Sequence, residues 1–117
     1  MDNLIYKILW ATIEDFVGLW EISWELNSLF PEKGIEENQE TAKKVLDYFL
    51  RNNLVVFYFS KWGSDELTVI NLDEAIKIIN QKKYWEPPEV NDICVKIGNT
   101  KKGEKFYNEK LINNFAV

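Results

Sequence analysis

The sequence contains no histidine, the side chain that most often serves as a general base near neutral pH. Its single cysteine, Cys94, therefore has no histidine partner that could activate it as a nucleophile. One cysteine also cannot form an intramolecular disulfide, which is typical of a protein from a reducing cytoplasm. We expect Cys94 to be a buried structural thiol.

Long apolar runs are missing as well. The longest, Leu54 to Phe59, is far shorter than the roughly 20 residues of a membrane span, and Lys7 interrupts the only apolar candidate for a signal peptide. With 117 residues, 46% of them apolar, and no compositionally simple segment, the chain has the composition of one ordered domain, residues 1–117. We expect a cytoplasmic protein that does not bind membranes.

Motifs that hold cofactors or metals are also lacking. There is no glycine-rich phosphate loop and no D-x-D-x-D-G calcium loop, so we predict no cofactor, no metal site and no catalytic residues. Glu21 and Glu25 lie one helical turn apart, and paired carboxylates of this kind occur in glycosidases and metal sites. A solvated helix face is the simpler interpretation. A deep pocket that contained both glutamates and a tryptophan would favour an enzyme.

Basic residues are scarce in the first third of the chain. Residues 1–40 carry nine acidic and two basic residues, whereas residues 41–117 carry ten acidic and twelve basic residues, and the net charge is −5. Phosphates attract lysine and arginine, so the N-terminal third is a poor surface for nucleic acid. It is a better surface for a basic protein.

The segment from Thr41 to Phe59 predicts a helix that continues into a strand. One helical stripe carries the apolar residues Ala42, Val45, Leu46, Phe49 and Leu50. Asn52 and Asn53 predict the end of the helix, because asparagine tolerates the left-handed conformation. The apolar run 54–59 predicts the strand.

Two further helices are predicted before this segment. The first has an inner face of Leu4, Ile5, Ile8, Leu9, Thr12 and Ile13. The second is predicted to begin at an N-cap, Asp15, and to carry Phe16, Leu19, Trp20, Ser23, Leu26 and Phe30. Pro31 and Gly34 predict its end, and Asn38 or Thr41 is the predicted N-cap of the third helix.

The C-terminal half predicts a small antiparallel sheet of about three strands. A polar loop, residues 60–65, joins the first strand to a hairpin partner at 67–70, and a short helix follows, started by Asp73. Pro87 and Pro88 require extended backbone. The alternation of Ile93, Val95 and Ile97 predicts another strand. Thr100 then caps a last helix that carries Tyr107, Leu111, Ile112 and Phe115 on one side.

This order resembles that of winged-helix domains, which have three helices followed by a small antiparallel sheet. The stretch V-L-D-Y-F-L-R-N-N-L-V, residues 45–55, is similar to their third helix and its exit into the first wing strand. Val95 to Ile97, with T-K-K-G at 100–103 and Phe106-Tyr107, is similar to the last wing strand and a final helix. The resemblance implies an α+β, winged-helix-like fold.

The chain departs from this pattern between about Lys61 and Asn91, where a regulator has only a short wing loop. The additional residues include a helix and the segment Y-W-E-P-P, residues 84–88. That segment, followed by Thr100, Gly103 and Tyr107, also looks like a small uncharacterised bacterial family to which no activity is attached. Because the wing is elaborated, a standard DNA-binding winged-helix protein is a poorer interpretation.

Six residues are the predicted contacts to a partner: Glu21, Glu25, Glu36, Glu37, Glu40 and Trp62. The three glutamates at 36, 37 and 40 lead into the third helix, where stabilisation of the helix dipole is the simpler interpretation and base reading is opposed by their charge. Trp20 and Trp24 share one helix face, which is more typical of a core than of a ligand platform, but two tryptophans flanked by glutamates would also make a hot spot for a partner. Trp62, on a loop tip beside Gly63, is the aromatic residue predicted to be exposed.

The sequence thus predicts a small bacterial protein that acts by binding another protein. The most concrete form is an immunity or antitoxin-like inhibitor whose acidic surface masks a basic, nuclease-type toxin. The alternative is a winged-helix transcription regulator. It requires Lys43, Lys44, Arg51, Lys61, Lys101 and Lys102 to converge into one patch.

Overall fold

The computed structural model describes residues 2–89 and 92–109, which form an α+β fold of helices packed on an antiparallel sheet. The helices are α1 (Asp2–Glu14), α2 (Leu19–Leu29), α3 (Ile35–Arg51), α4 (Leu72–Ile79), a 3₁₀ helix (Lys82–Trp85) and α5 (Lys101–Glu109). The strands are β1 (Val17–Gly18), β2 (Val55–Lys61), β3 (Thr68–Ile70) and β4 (Ile93–Asn99). Among the described residues, no helix combines the length and the apolar character needed to cross a membrane.

The sheet has the strand order β1-β4-β2-β3, and every neighbouring pair is antiparallel. It therefore has one strand more than the predicted three, because β1 adds two residues to the edge of β4. Val17 pairs with Ile97 and Gly18 with Lys96. A two-residue strand has no sequence pattern of its own, since it depends on a partner about 80 residues away.

The core lies between the helices and one face of this sheet. The predicted stripe of α3 is confirmed, because Ala42, Val45, Leu46, Phe49 and Leu50 are all buried. On the sheet, Phe57 and Ile97 are paired neighbours that are completely buried. The α3–β2 segment therefore contributes buried residues to both the helical side and the sheet side of the core.

The junction between α3 and β2 is held by one threonine. Asn53 has a φ of 57°, which confirms the predicted left-handed end of the helix. Thr100 Oγ1 donates a hydrogen bond to the Asn53 carbonyl at 2.6 Å and accepts one from the Gly103 backbone N–H at 2.9 Å. Thr100 is thus the predicted cap of α5, and the same hydroxyl ties α5 to the end of α3.

Three predicted helix starts are wrong. Asp15 does not cap α2, since its carboxylate accepts from the Phe16 N–H and the N-cap is Gly18. Helix α3 begins after Gly34, so neither of its two predicted caps is used: Asn38 lies inside the helix and the Thr41 hydroxyl bonds the Glu37 carbonyl. For α4 the cap is Asn71, whose side chain accepts from Glu74 N–H, and not Asp73.

The segment between β2 and β4, which the sequence predicts to be an elaborated wing and which is called the insertion below, packs back onto the helices. Helix α4 packs on α3, and the 3₁₀ helix packs on α2. Trp85 is buried and its indole N–H donates to the Ile79 carbonyl at 2.9 Å, which fixes the 3₁₀ helix to the end of α4. The two ends of the insertion meet, because Trp62 N–H donates to the Asp92 carbonyl at 2.8 Å.

Helix α5 packs against α1 through an aromatic cluster. The ring of Tyr107 stacks on Trp10 with centroids 5.3 Å apart and meets Tyr6 edge-on at 5.7 Å. The position of Tyr107 agrees with the predicted inner side of this helix. The other predicted members of that side, residues 111, 112 and 115, lie outside the described residues.

Candidate partner-binding groove

A groove of about 730 Å³ lies between α2, the N-terminal half of α3 and the 3₁₀ helix. Its residues come from three segments of the chain. They are Ser23, Trp24 and Asn27 of α2; Ile35, Glu36, Gln39, Glu40 and Lys43 of α3; and Asn80, Lys82, Trp85, Glu86 and Pro87 of the insertion. Its volume is in the range of sites that accept a ligand or several side chains of a partner.

The apolar part of the groove is open to solvent. Trp24 is 55% exposed and Ile35 is 68% exposed, although both are large hydrophobic side chains. Trp20, on the same helix as Trp24, is buried with its ring against Gly18. The two tryptophans predicted to share one face of α2 thus serve different purposes, Trp20 in the interior and Trp24 in the groove.

Two of the predicted glutamates, Glu36 and Glu40, line the groove, and Glu37 does not. Glu36 and Glu37 lie in the first turn of α3, where carboxylates complement the helix dipole. Glu40 lies beyond that turn and pairs with Lys43 at 3.1 Å. Dipole stabilisation therefore accounts for Glu36 and Glu37, whereas Glu40 is accounted for by its ion pair with Lys43.

One buried side chain holds the two long walls of the groove together. Asn38, on α3, is 1% exposed, and its Nδ2 donates to Asn27 Oδ1 at 3.0 Å and to the Phe30 carbonyl at 3.2 Å. Asn27 belongs to α2 and also lines the groove. The spacing of the α2 and α3 walls is therefore fixed by a hydrogen-bonded amide pair.

The predicted pair Glu21 and Glu25 lies elsewhere. Both line a smaller groove of about 340 Å³ between α1 and α2, together with Trp10 and Glu14. This is the combination of two glutamates and a tryptophan that would favour an enzyme, but all four side chains are exposed, so they lie on a surface groove and not in a deep pocket. Glu21 has a structural role, since its Oε1 accepts from the Gly18 backbone N–H at 2.9 Å and so closes the first turn of α2. The six predicted contact residues are thus not brought together on one surface.

Trp62 lies in a third place, at the start of the loop after β2. It is 41% exposed, as predicted, and meets the buried Trp20 edge-on with ring centroids 5.6 Å apart. Part of its surface is therefore used to cover Trp20.

Cys94 is buried in β4, as predicted. Burial of the thiol raises its pKa, and this effect outweighs the opposing attraction of the nearby Lys96 ammonium. A thiol of this kind is a poor nucleophile near neutral pH. Within the two described stretches, no group of three or more cysteine or acidic side chains could hold a metal ion.

Two basic residues on α3 are engaged by acids of the same helix. Lys43 pairs with Glu40, and Arg51 Nε lies 3.0 Å from Asp47. Lys44 is exposed. Exposed ion pairs of this type are weak, yet they reduce the positive potential that α3 offers to phosphate.

Sequence reasoning missed the residues that make the groove distinctive. A core position was the favoured interpretation of Trp24, and neither Ile35 nor residues 82–87 were predicted to contact a partner. The one available signal was Ile35 itself, an isolated apolar residue between Gly34 and Glu36. Comparison of the chain with known family models, curated proteins and solved structures finds no significant match.

Proposed function

We propose that this chain is a protein-binding module of winged-helix-like architecture. In its most concrete form it is an immunity or antitoxin-like inhibitor that masks a basic toxin. The observation that carries the proposal is the groove, where Trp24 and Ile35, both more than half exposed, lie beside Glu36 and Glu40. Exposed aromatic and aliphatic anchors next to acidic groups are what a basic protein surface would bind.

The order of elements supports the winged-helix-like part of the proposal. Three helices, α1 to α3, precede the two long strands β2 and β4, and α5 follows them. The long departure from a simple wing is the insertion, which packs on α2 and α3 and supplies one wall of the groove. The segment that distinguishes the chain from a plain winged helix thus contributes directly to the proposed binding site.

Hydrophobic burial would provide most of the affinity. Covering apolar surface is worth about 25 cal/mol per Å², and large aromatic side chains are the usual energetic centres of interfaces. Charge would provide orientation and a fast encounter, because the first 40 residues have a balance of −7. Trp24 and Ile35 thus provide the affinity, and the glutamates select a basic partner.

The experiment is affinity capture from the native host with the tagged chain, followed by identification of the bound proteins. We expect one basic protein to be recovered by the wild type. Its recovery should be lost in a Trp24→Ser/Ile35→Ser variant and in a Glu36→Lys/Glu40→Lys variant. Glu37→Lys is the matched control, because Glu37 is in the same turn as Glu36 but outside the groove.

If both groove variants recover the same protein as the wild type, the proposed site is rejected. Capture that is lost equally with Glu37→Lys would show that general charge, and not the groove, governs recovery. Capture that is lost with Glu21→Lys/Glu25→Lys would move the binding site to the groove between α1 and α2.

The regulator alternative is tested on the same preparations with duplex DNA. The net charge along α3 does not favour it: the helix carries Glu36, Glu37, Glu40 and Asp47 against Lys43, Lys44 and Arg51. Affinity for duplex DNA that falls steeply between 50 and 200 mM salt, and that is lost in Lys43→Ala/Lys44→Ala, would replace the inhibitor hypothesis with the regulator. We expect no such binding.

A further inference from the structure

We infer that the occupant of the groove is a short, basic, amphipathic α-helix of the partner protein. The inference rests on the proposed protein-binding function and specifies which structure the groove recognises. Two features of the groove lead to it, the type of its walls and the arrangement of its charged and apolar residues.

The walls of the groove are helical. Two α-helices and the 3₁₀ helix supply most of its residues, and none of the lining residues belongs to a strand. An extended peptide binds most often by adding a strand to a sheet edge, where backbone groups are free to pair. A groove between helices offers side chains instead, which is the setting in which an amphipathic helix lays its apolar face.

The length of the groove suits about two helical turns. Along α3 the lining residues run from Ile35 through Gln39 to Lys43, spaced four residues apart. A rise of 1.5 Å per residue makes this wall about 12 Å long, slightly more than two turns of 5.4 Å. A ligand helix of this length places apolar side chains at positions i, i+3 or i+4, and i+7 on one side.

Apolar anchors are available for such side chains. Trp24 comes from the α2 wall, Ile35 from the start of α3 and Pro87 from the insertion, and the buried Trp85 supports the insertion wall from behind. Trp85 is fixed by its hydrogen bond to Ile79, so the insertion wall is preorganised. The exposed Trp24 and Ile35 are the surfaces that a ligand helix would cover.

The groove has one more acidic than basic side chain, which favours a basic ligand. Its carboxylates are Glu36, Glu40 and Glu86, and its cations are Lys43 and Lys82. Lys43 is already paired with Glu40. Glu36 and Glu86 form no ion pair with another described residue, so they remain to receive lysine or arginine from the flanks of a bound helix.

The test is selection of binders from a displayed library of random 16-residue peptides against the full chain. The recovered peptides are synthesised, their binding is measured by fluorescence anisotropy, and their helicity by circular dichroism. We expect apolar residues spaced i, i+3 or i+4, and i+7, flanked by lysine or arginine, and helicity that increases on binding.

Matched variants locate the binding site. Ile35→Ser should weaken binding at least tenfold, whereas Val69→Ser should leave it unchanged, because Val69 on β3 is equally exposed at 67% but lies outside the groove. Glu36→Lys should weaken binding several-fold, and Glu37→Lys should not. Circular dichroism of each variant confirms that it is folded.

Recovery of acidic peptides, of peptides without helical spacing, or of no peptide would overturn the inference. So would binding that Ile35→Ser does not weaken. These outcomes are distinguishable from failure of the proposed function. If capture of the host protein depends on the groove while the selected peptides are extended or acidic, this inference fails and the protein-binding function stands.

Discussion

The amide of Asn38 donates to the side-chain oxygen of Asn27 across 3.0 Å, and this bond joins α3 to α2 in the interior. The same nitrogen also reaches the Phe30 carbonyl, at the end of α2. A single buried side chain therefore sets the distance between the two helices that form the long walls of the groove. The sequence suggested Asn38 as an N-cap, a role that would have left it on the surface.

We predict that Asn38→Ala destabilises the fold by roughly 1–3 kcal/mol, since buried polar partners lose their hydrogen bonds. The measurement is urea unfolding followed by circular dichroism. Asn108→Ala, on the exposed surface of α5, is the control and should change the free energy of unfolding by less than about 0.5 kcal/mol. Equal effects of the two substitutions would mean that the amide pair contributes nothing to stability.

Gly103→Ala should destabilise the protein although alanine is the better helix former by about 1 kcal/mol. A β-carbon at position 103 would collide with the Leu54 backbone carbonyl, so α5 would have to move away from the α3–β2 junction. We expect a lower thermal midpoint. Gly34→Ser is the contrasting variant, because position 34 is an N-cap with open space around it, and serine there should leave the midpoint unchanged or raise it. A higher midpoint for Gly103→Ala would contradict the close approach.

Thr100→Val should cost about 1–2 kcal/mol, because valine keeps the shape of threonine but loses the cap of α5 and the bond to Asn53. Thr100→Ser keeps the hydroxyl and should retain most of the stability. Denaturant unfolding of the two variants separates the hydroxyl from the methyl group. If serine is as damaging as valine, packing of the methyl group is the more important contribution.

The raised pKa of Cys94 predicts a fall in stability at alkaline pH. The unfolded chain loses the thiol proton around the ordinary value of 9.0, whereas the folded chain retains it to higher pH. Above that pH the unfolded state binds fewer protons than the folded state, so the free energy of unfolding decreases as the pH rises. The difference in stability between wild type and Cys94→Ala should therefore shrink from pH 7 to pH 10. A constant difference would show that the thiol titrates alike in both states.

Trp62→Ala tests a predicted contact residue that also has a structural neighbour. Removing the ring exposes Trp20, so we expect a loss of about 1 kcal/mol in stability, typical of an aromatic pair, and a change in tryptophan fluorescence. Affinity for the captured partner should be unchanged, because Trp62 does not line the groove between α2 and α3. A large loss of affinity at full stability would restore Trp62 as a contact.

The features that could be predicted from the sequence are those set by neighbouring residues. The stripe of α3, the asparagine turn at its end and the threonine cap of α5 each depend on a pattern within a few positions, and each is confirmed. The start of α2 could not be predicted from neighbouring residues. Asp15 is a good N-cap by residue type, but Val17 and Gly18 pair with the distant strand β4 and so delay the helix.

The groove could be predicted only in part for the same reason. Helical periodicity puts Trp20 and Trp24 on one side of α2, but which of them is covered depends on segments far away in the sequence. Gly18 receives the ring of Trp20, and the insertion forms the opposite wall beyond Trp24. The acidic entrance of α3 was visible in the sequence, whereas the apolar surface beside it required the tertiary fold.

The hydrogen bond between Trp62 and Asp92 holds the two ends of the insertion side by side, so the insertion can be replaced as a unit. Because its two ends already meet beside β2 and β4, residues 63–91 can be exchanged for a short turn with little cost in loop closure. Such a chain would keep the pairing of β2 with β4 but lose β3, the cover that α4 gives to α3, and one wall of the groove. A different segment grafted between these two ends could give the same scaffold another specificity, provided that it replaces the core residues that the insertion supplies, Ile70, Ala75, Ile78, Ile79 and Trp85.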